Sequence, residues 1–325
     1  MASVFCSQAH PNVPGSRFCH RCGEPLGAVV AEVTVGGMLG DRYRIVKELG
    51  QGGFGKTYLA EDQHRFREAC VLKEFAPQVQ GREALKKAEE LFEREAGVLY
   101  QLQHPQIPRF RELFRVQMVN GGRLFLVQDY VEGASYRELL QARLAQNQTF
   151  TEADVIQLFM HLLPVLQYIH TLGVIHRDIA PDNLILRSTD QMPVLIDFGG
   201  VKQIAVSVSA KVTPMPHPVT RVGKVGYAPV EQMDEGRVSP DSDLYALAVT
   251  AIVLLTGQEP DLWLNDRKAT WKRQVKLSPQ LGQMLDRMLA SRPGDRFPSA
   301  EAVLQALRRI APQPLAPAQR AASHP

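Results

Sequence analysis

Residues 50–57 read Gly50-Gln51-Gly52-Gly53-Phe54-Gly55-Lys56-Thr57, and this octapeptide satisfies two phosphate-binding patterns at once. As Gly-x-x-x-x-Gly-Lys-Thr it is a phosphate loop in which Lys56 and Thr57 would touch phosphate and a metal; as Gly-x-Gly-x-x-Gly it is a nucleotide-binding glycine loop. The residues that follow discriminate. A phosphate loop, like a dinucleotide fingerprint, opens a helix whose N-terminus faces the anion. Here Thr57-Tyr58-Leu59-Ala60-Glu61 is β-branched, aromatic and alternating, the pattern of a strand. The glycines therefore join two antiparallel strands, and the alternative is that they are simply hairpin glycines.

Working outward, strand-like runs cover Tyr43–Leu49, Lys56–Asp62, Glu68–Glu74 and later Leu124–Val131, and helical periodicity dominates from about residue 135. The third run carries Lys73 after Cys70, Val71 and Leu72. A lysine there usually snorkels from a strand edge. Helix 82–102 supplies a reason for another fate: its apolar stripe of Leu91, Phe92, Val98, Leu99 and Leu102 contains Glu95, where a carboxylate should not be. A buried carboxylate needs a cation, and Lys73 suits it.

Two further stretches present polar groups between short apolar runs. Val174-Ile175-His176-Arg177-Asp178-Ile179-Ala180-Pro181-Asp182-Asn183 leads into Leu184-Ile185-Leu186 and offers a carboxylate and an amide on a constrained loop. Fourteen residues beyond Asn183 stands Asp197, in Val194-Leu195-Ile196-Asp197-Phe198-Gly199. An amide and a carboxylate converging on one place suit a hard, oxygen-seeking cation such as magnesium. Each signal alone is weak; four in this order and spacing are specific.

With these motifs residues 42–310 resemble the protein kinases, in particular bacterial eukaryotic-like serine/threonine kinases. The resemblance implies an α+β, two-lobed protein-kinase fold, a β-rich small lobe before an α-rich large one. It implies that Leu49, Gly50, Gln51, Gly52, Gly53, Phe54, Gly55 and Thr57 cover ATP and that Lys73 holds its α- and β-phosphates while pairing with Glu95. Gln128 matches the gatekeeper, and Asp129-Tyr130-Val131 the segment whose backbone reads adenine, with Asp129 and Val131 as contacts. Asp178 matches the catalytic base, and Asn183 and Asp197 the ligands of Mg2+ (or Mn2+). Ala228-Pro229-Val230-Glu231 resembles the end of the activation segment, with Arg296 as partner of Glu231, and Asp243 opens the buried helix 244–256. Protein substrates carrying Ser or Thr are the implied partners.

The departures are informative. The family usually has a lysine where this chain has Ala180 and a threonine where it has Lys224; Val71 and Thr57 replace an alanine and a valine about the adenine. We expect the Lys224 ammonium to reach towards the place left by Ala180, or else to point into solvent. Arg177, by resemblance, pairs with a phosphorylated residue of segment 200–224, which offers Ser207, Ser209, Thr213 and Thr220; Thr220 is the expected site. Two readings follow: a Ser/Thr-directed ATP:protein phosphotransferase, or a pseudokinase or nucleotide-gated scaffold.

Three of the four cysteines crowd into the first 22 residues. Cys19-His20-Arg21-Cys22 has the spacing that lets two thiolates grip one metal, and Cys6 with His10 supplies the remaining pair for a tetrahedral zinc site. His20 competes as fourth ligand, and a redox Cys-x-x-Cys is the other reading, although such a motif should open a helix in a βαβ context. The expected organisation is a zinc-ribbon-like module (1–26), a linker (27–42), the kinase-like domain (43–310) and a disordered Pro/Ala-rich tail (311–325), with a protein partner possible for the ribbon.

Composition bounds the rest. The chain has 325 residues, 45% hydrophobic and 22% charged, with 37 basic against 34 acidic residues and net charge +3, too balanced to call for nucleic acid or a membrane surface as partner. The longest uncharged apolar run, Leu244 to Gln258, is 15 residues, short of a membrane span. With no secretory leader pattern and few cysteines, a cytoplasmic protein is expected.

Overall fold

The computed structural model describes residues 4–6, 10–13, 16, 18–23, 32–52, 55–76, 82–118, 121–198, 202–203, 224, 226–262 and 270–310. The tail, the tip residues Gly53 and Phe54, and the candidates Ser207, Ser209, Thr213 and Thr220 lie outside these residues. The chain divides into two compact units, residues 1–132 and 133–325.

The first unit opens with two paired two-residue strands, β1 (Val4–Phe5) and β2 (Pro11–Asn12). Its main sheet has six antiparallel strands in the order β3 (Met38–Leu39), β4 (Tyr43–Gly52), β5 (Gly55–Asp62), β6 (Glu68–Glu74), β8 (Gly121–Asp129), β7 (Phe110–Met118). Alternation does the sorting. Tyr43, Ile45, Tyr58, Ala60, Cys70, Leu72, Phe125 and Val127 face one side and form a core with Leu39 and Val116. The opposite side carries the cross-strand partners Thr57 and Lys73, and Val71 and Gln128.

Three expectations need correcting here. The first strand runs past Leu49 to Gly52, pairing Gly50 with Thr57 and Gly52 with Gly55 through two register shifts, so the glycine loop is the end of a hairpin. The expected linker contributes β3, with Leu39 buried in the core and Val33 packed against it. The strand at 124–131 is instead 121–129, and β7 before it was not singled out. In β7 the charged residues Arg111 and Glu112 fall on successive positions, so neither face reads as apolar; their charges are absorbed by ion pairs instead. Helix α1 (Arg82–Gln101) completes the unit, burying Phe92, Val98 and Leu99 together with Glu95.

The second unit is mainly helical. Helix α2 (Tyr136–Leu144) begins at a Ser135–Glu138 capping box and α3 (Glu152–Thr171) at a Thr151–Asp154 box, each satisfying backbone donors at the helix start. Strand β9 (Gly133–Ser135) pairs with β11 (Leu184–Arg187), which pairs with β12 (Pro193–Leu195); β10 (Val174–Ile175) pairs with β13 (Lys202–Gln203). Short α4 (Val230–Glu235) precedes α5 (Pro240–Thr256), apolar nearly all round and buried along almost its whole length, as such a helix must be. Helix α3 packs on α5 and on the last helix, α7 (Ala300–Ile310), while α6 (Pro279–Met288) packs on both α5 and α7. The β-rich part thus precedes the α-rich part. No helix among the described residues is long and apolar enough to cross a membrane.

Candidate functional site

In the first unit Thr57, Val71, Lys73 and Gln128 share the side of the sheet away from its core. Strand register sets Thr57 beside Lys73, and α1 brings Glu95 to it: Lys73 Nζ lies 2.9 Å from Glu95 Oε1, with side chains 14% and 4% exposed. Glu95 is thus the paired carboxylate that its place in an apolar stripe requires. Gly55 has φ +140°, and a Cβ there would lie 2.1 Å from the carbonyl oxygen of Glu74. Only glycine lets the hairpin press so closely on the neighbouring strand. By contrast, a Cβ at Gly50 would meet nothing within 4 Å, which leaves open space over that part of the loop.

Asp129 is the end of β8, next to Tyr130 and Val131. Its carboxylate accepts from Arg109 Nε at 2.9 Å and Arg111 Nε at 2.7 Å. Burial works against its charge, but the two guanidiniums hold it below the usual carboxylate range. The Asp129 side chain is therefore a strut of the sheet. Arg109 and Arg111 escaped sequence reading because a charged residue in a strand normally signals a solvated face.

In the second unit several hydrogen bonds fix the loop from His176 to Asn183. Asn183 Nδ2 donates to the Asp178 carbonyl at 2.8 Å and to Asp178 Oδ2 at 2.9 Å. The amide nitrogen is committed, so the Asn183 oxygen is the end of that side chain left to receive a cation. Asp178 Oδ1 accepts the Lys224 amide at 3.1 Å. Ile196 N donates to the Asn183 carbonyl at 3.0 Å, tying the loop to the stretch that carries Asp197. The His176 ring reaches the Ile196 carbonyl at 3.2 Å and stands edge-on to Phe198, with centroids 4.8 Å apart. Arg177 and Asp197 have φ of 72° and 64°, left-handed values rare outside glycine. Such strain persists only where surroundings impose it.

Asp243 imposes part of it. Its buried carboxylate accepts the amides of His176 and Arg177 at 2.9 and 2.8 Å and lies 2.8 Å from His170 Nε2. Burial would raise its pKa, but these three partners hold it below the usual carboxylate range. Burial also lowers the pKa of His176 and of Arg177. The role of Asp243 as anchor was missed, although the signal was the one that exposed Glu95, a carboxylate at the head of an apolar run. The pairing of Arg296 with Glu231 is present at 2.6 Å, and Arg296 also reaches Asp241 at 2.9 Å. The Lys224 ammonium bonds Asp182, while Ala180 is fully buried, so no open place stands at Ala180 for that ammonium to enter.

At the N-terminus, Cys6, His10, Cys19 and Cys22 come together with one ligand atom each, all within 4.8 Å of one another. Cys6 Sγ and Cys22 Sγ are 3.6 Å apart, and Cys19 Sγ is 3.7 Å from His10 Nδ1. Corners of a tetrahedral zinc site with thiolate ligands are about 3.8 Å apart, so the set fits. His20 turns away to Ser16 Oγ at 3.2 Å, and its amide bonds Asn12 Oδ1. Burial alone would raise the Cys19 pKa, but amides of Arg21 and Cys22 and the Asn12 side chain bring it down to about 5, favouring the thiolate that a metal requires. Cys70 is different: burial pushes its thiol up to about 12, making it an inert core residue.

Residues 43–307 match the family described as protein kinase domain. The chain is 39% identical over 280 residues to serine/threonine-protein kinase PknA of Nostoc sp., covering 83% of this chain and 48% of that protein. It is 39% identical over 306 residues to serine/threonine-protein kinase B of Synechocystis sp., covering 92% of this chain and 50% of that protein. The chain thus spans about half the length of these curated relatives. The crystal structure of the PknI kinase domain of Mycobacterium tuberculosis superposes with TM-score 0.64 at 25% identity, covering 86% of this chain and all of that one.

Proposed function

We propose, from the premise that this chain belongs to the protein kinase family, that it transfers the γ-phosphoryl group of ATP to Ser or Thr hydroxyls of protein substrates. The observation that carries this reading is the Lys73–Glu95 ion pair at 2.9 Å. A lysine and a carboxylate are costly to bury and stabilise little as a pair, so their retention points to use.

In this reading the loop Leu49–Gly55 and Thr57 cover the nucleotide, the backbone at Asp129 and Val131 receives adenine, and Lys73, oriented by Glu95, neutralises phosphate charge. Asn183, through the oxygen that its committed nitrogen leaves available, and Asp197 would hold Mg2+ (or Mn2+). The metal supplies positive charge to a phosphoryl transfer whose transition state spreads negative charge over its oxygens. Asp178 orients the acceptor hydroxyl and takes its proton, with its two carboxylate oxygens steadied by Asn183 and by the Lys224 amide. Cys6, His10, Cys19 and Cys22 would hold one Zn2+, which holds residues 1–26 together as a module of its own, a surface for a protein partner. Kinase activity then resides in residues 43–310, and ATP as co-substrate places it in the cytoplasm.

The pseudokinase reading is favoured by Ala180, where the usual lysine is missing. Labelled ATP and Mg2+ with a generic acceptor protein separate the two: transfer by the wild type and none by Asp178→Asn supports the enzyme. ATP binding without transfer by the wild type supports the scaffold.

A further inference from the structure

Lys224 is bonded through all three of its polar groups. Its amide donates to Asp178 Oδ1 at 3.1 Å, and its ammonium bonds the Asp182 carboxylate. Its carbonyl accepts the amides of Tyr227 at 3.0 Å and Ala228 at 3.3 Å, closing a tight turn. Tyr227 is buried, and its hydroxyl accepts from Arg137 at 3.0 Å and donates to Glu259 at 3.2 Å. Arg137 in turn contacts both Asp182, at 3.5 Å, and Glu259. The contacts close a ring: Lys224, Asp182, Arg137, Glu259 and Tyr227, then back to Lys224 through the turn.

Asp178 is held from two sides of unequal security. Asn183 lies on the same short loop, five residues on, so the chain itself keeps it near. The second donor, the Lys224 amide, comes from 46 residues downstream. Among the described residues, Gln232 Nε2 ties the downstream segment to the Arg177 carbonyl at 2.9 Å, and at residue 224 itself the ring, through the Lys224–Asp182 contact, holds the backbone against the loop. We infer that Lys224 is a positioning residue for Asp178, its ammonium clamping residue 224 to Asp182 so that its own amide fixes the rotamer of the catalytic carboxylate. The expected charge substitution at Ala180 is replaced by a geometric role. The inference rests on the phosphotransfer reading above and adds to it the residue that aims the base.

The side chains of Lys224 and Asp182 are 39% and 44% exposed, so their ion pair contributes little to global stability. Its loss should therefore register in turnover and not in melting, since a misplacement of about 1 Å in a reacting geometry can cost up to about a hundredfold. The test uses the full chain with Mg-ATP and dephosphorylated casein as acceptor. Wild type, Lys224→Met, Lys224→Arg, Asp182→Asn and the Lys224→Met/Asp182→Asn double variant are compared for kcat, both KM values and amide hydrogen exchange at residue 224. We expect kcat to fall about tenfold in either single variant with KM for ATP within about twofold, the double to be no slower than the singles, and Lys224→Arg to recover most of the loss. Exchange at the residue-224 amide should quicken about tenfold in Lys224→Met. An undiminished kcat in Lys224→Met, multiplicative effects in the double, or a loss confined to KM for casein overturns the inference. If the wild type transfers no phosphate, it is the kinase reading that fails, and the exchange rates still judge the clamp: equal rates in wild type and Lys224→Met would refute it.

Discussion

The carboxylate of Asp243 accepts the backbone N–H of Arg177 at 2.8 Å, joining the head of the buried helix α5 to a residue whose φ is 72°. Left-handed backbone at a non-glycine residue costs about 1–3 kcal/mol and unfolds locally unless something holds it. Asp243 does so from a helix that cannot shift, because nearly every residue of α5 is buried. Asp178, the next residue after Arg177, inherits its direction from this anchor.

Asp243→Ala leaves two buried amides and His170 without their acceptor. We expect a loss of at least about 3 kcal/mol, or failure to fold. Asp243→Asn, of equal size but uncharged, should cost about 1–3 kcal/mol. Urea denaturation checks this; an Asn variant as stable as wild type contradicts the anchor.

The same carboxylate sets a pH dependence. Its pKa is lowered on folding, so its stabilisation is complete above the unfolded-state value of about 3.9 and is lost as pH falls through the folded value. The stability gap between wild type and Asp243→Asn should therefore narrow as pH drops below about 4. A gap that widens on acidification has the wrong sign.

Lys73→Met should abolish phosphotransfer and, because it takes the ammonium away from the buried Glu95 carboxylate, cost about 1–3 kcal/mol without unfolding the chain. Glu95→Ala should cost stability as well, about 1–3 kcal/mol, because it removes the carboxylate 2.9 Å from the Lys73 ammonium in a partly buried place. Equal melting temperatures for wild type and Glu95→Ala would contradict the pairing.

Gly55 and Gly50 should part company under substitution. Gly55→Ala forces a Cβ to within 2.1 Å of a carbonyl oxygen at φ +140°, and we expect a loss of more than about 2 kcal/mol. Gly50→Ala meets nothing within 4 Å and should shift stability by less than about 0.5 kcal/mol, while the new methyl group reads out in KM for ATP. Thermal melts of both variants decide this.

Reduced protein should carry about one equivalent of zinc. Cys6→Ser, Cys19→Ser and His10→Ala should lose it and His20→Ala should keep it, since the His20 ring is turned to Ser16. All four ligands come from residues 6–22, so phosphotransfer should survive the metal's removal. Metal analysis giving less than about half an equivalent in the wild type contradicts the site.

The sequence by itself determined those parts in which residue type conflicts with surroundings or local spacing is sufficient. Glu95 in an apolar stripe demanded a cation, Thr57–Glu61 read as a strand and so chose between two glycine patterns, and the Cys19–Cys22 and Cys6–His10 pairs brought their own spacing. Short-range periodicity and the cost of burying a charge are written locally, and they are legible without a fold. Tertiary structure decided whatever depends on residues distant in sequence meeting one another. It alone brought His10 Nδ1 to 3.7 Å from Cys19 Sγ while turning His20 to Ser16, gave Gly55 its reason in the carbonyl of Glu74, and absorbed the charges of Arg109 and Arg111 onto Asp129. It also turned the Lys224 ammonium to Asp182 and the Lys224 amide to Asp178. A charged side chain has many possible partners of similar worth, and which one it takes is fixed by where packing of the apolar elements leaves the backbone, a choice that no local pattern records.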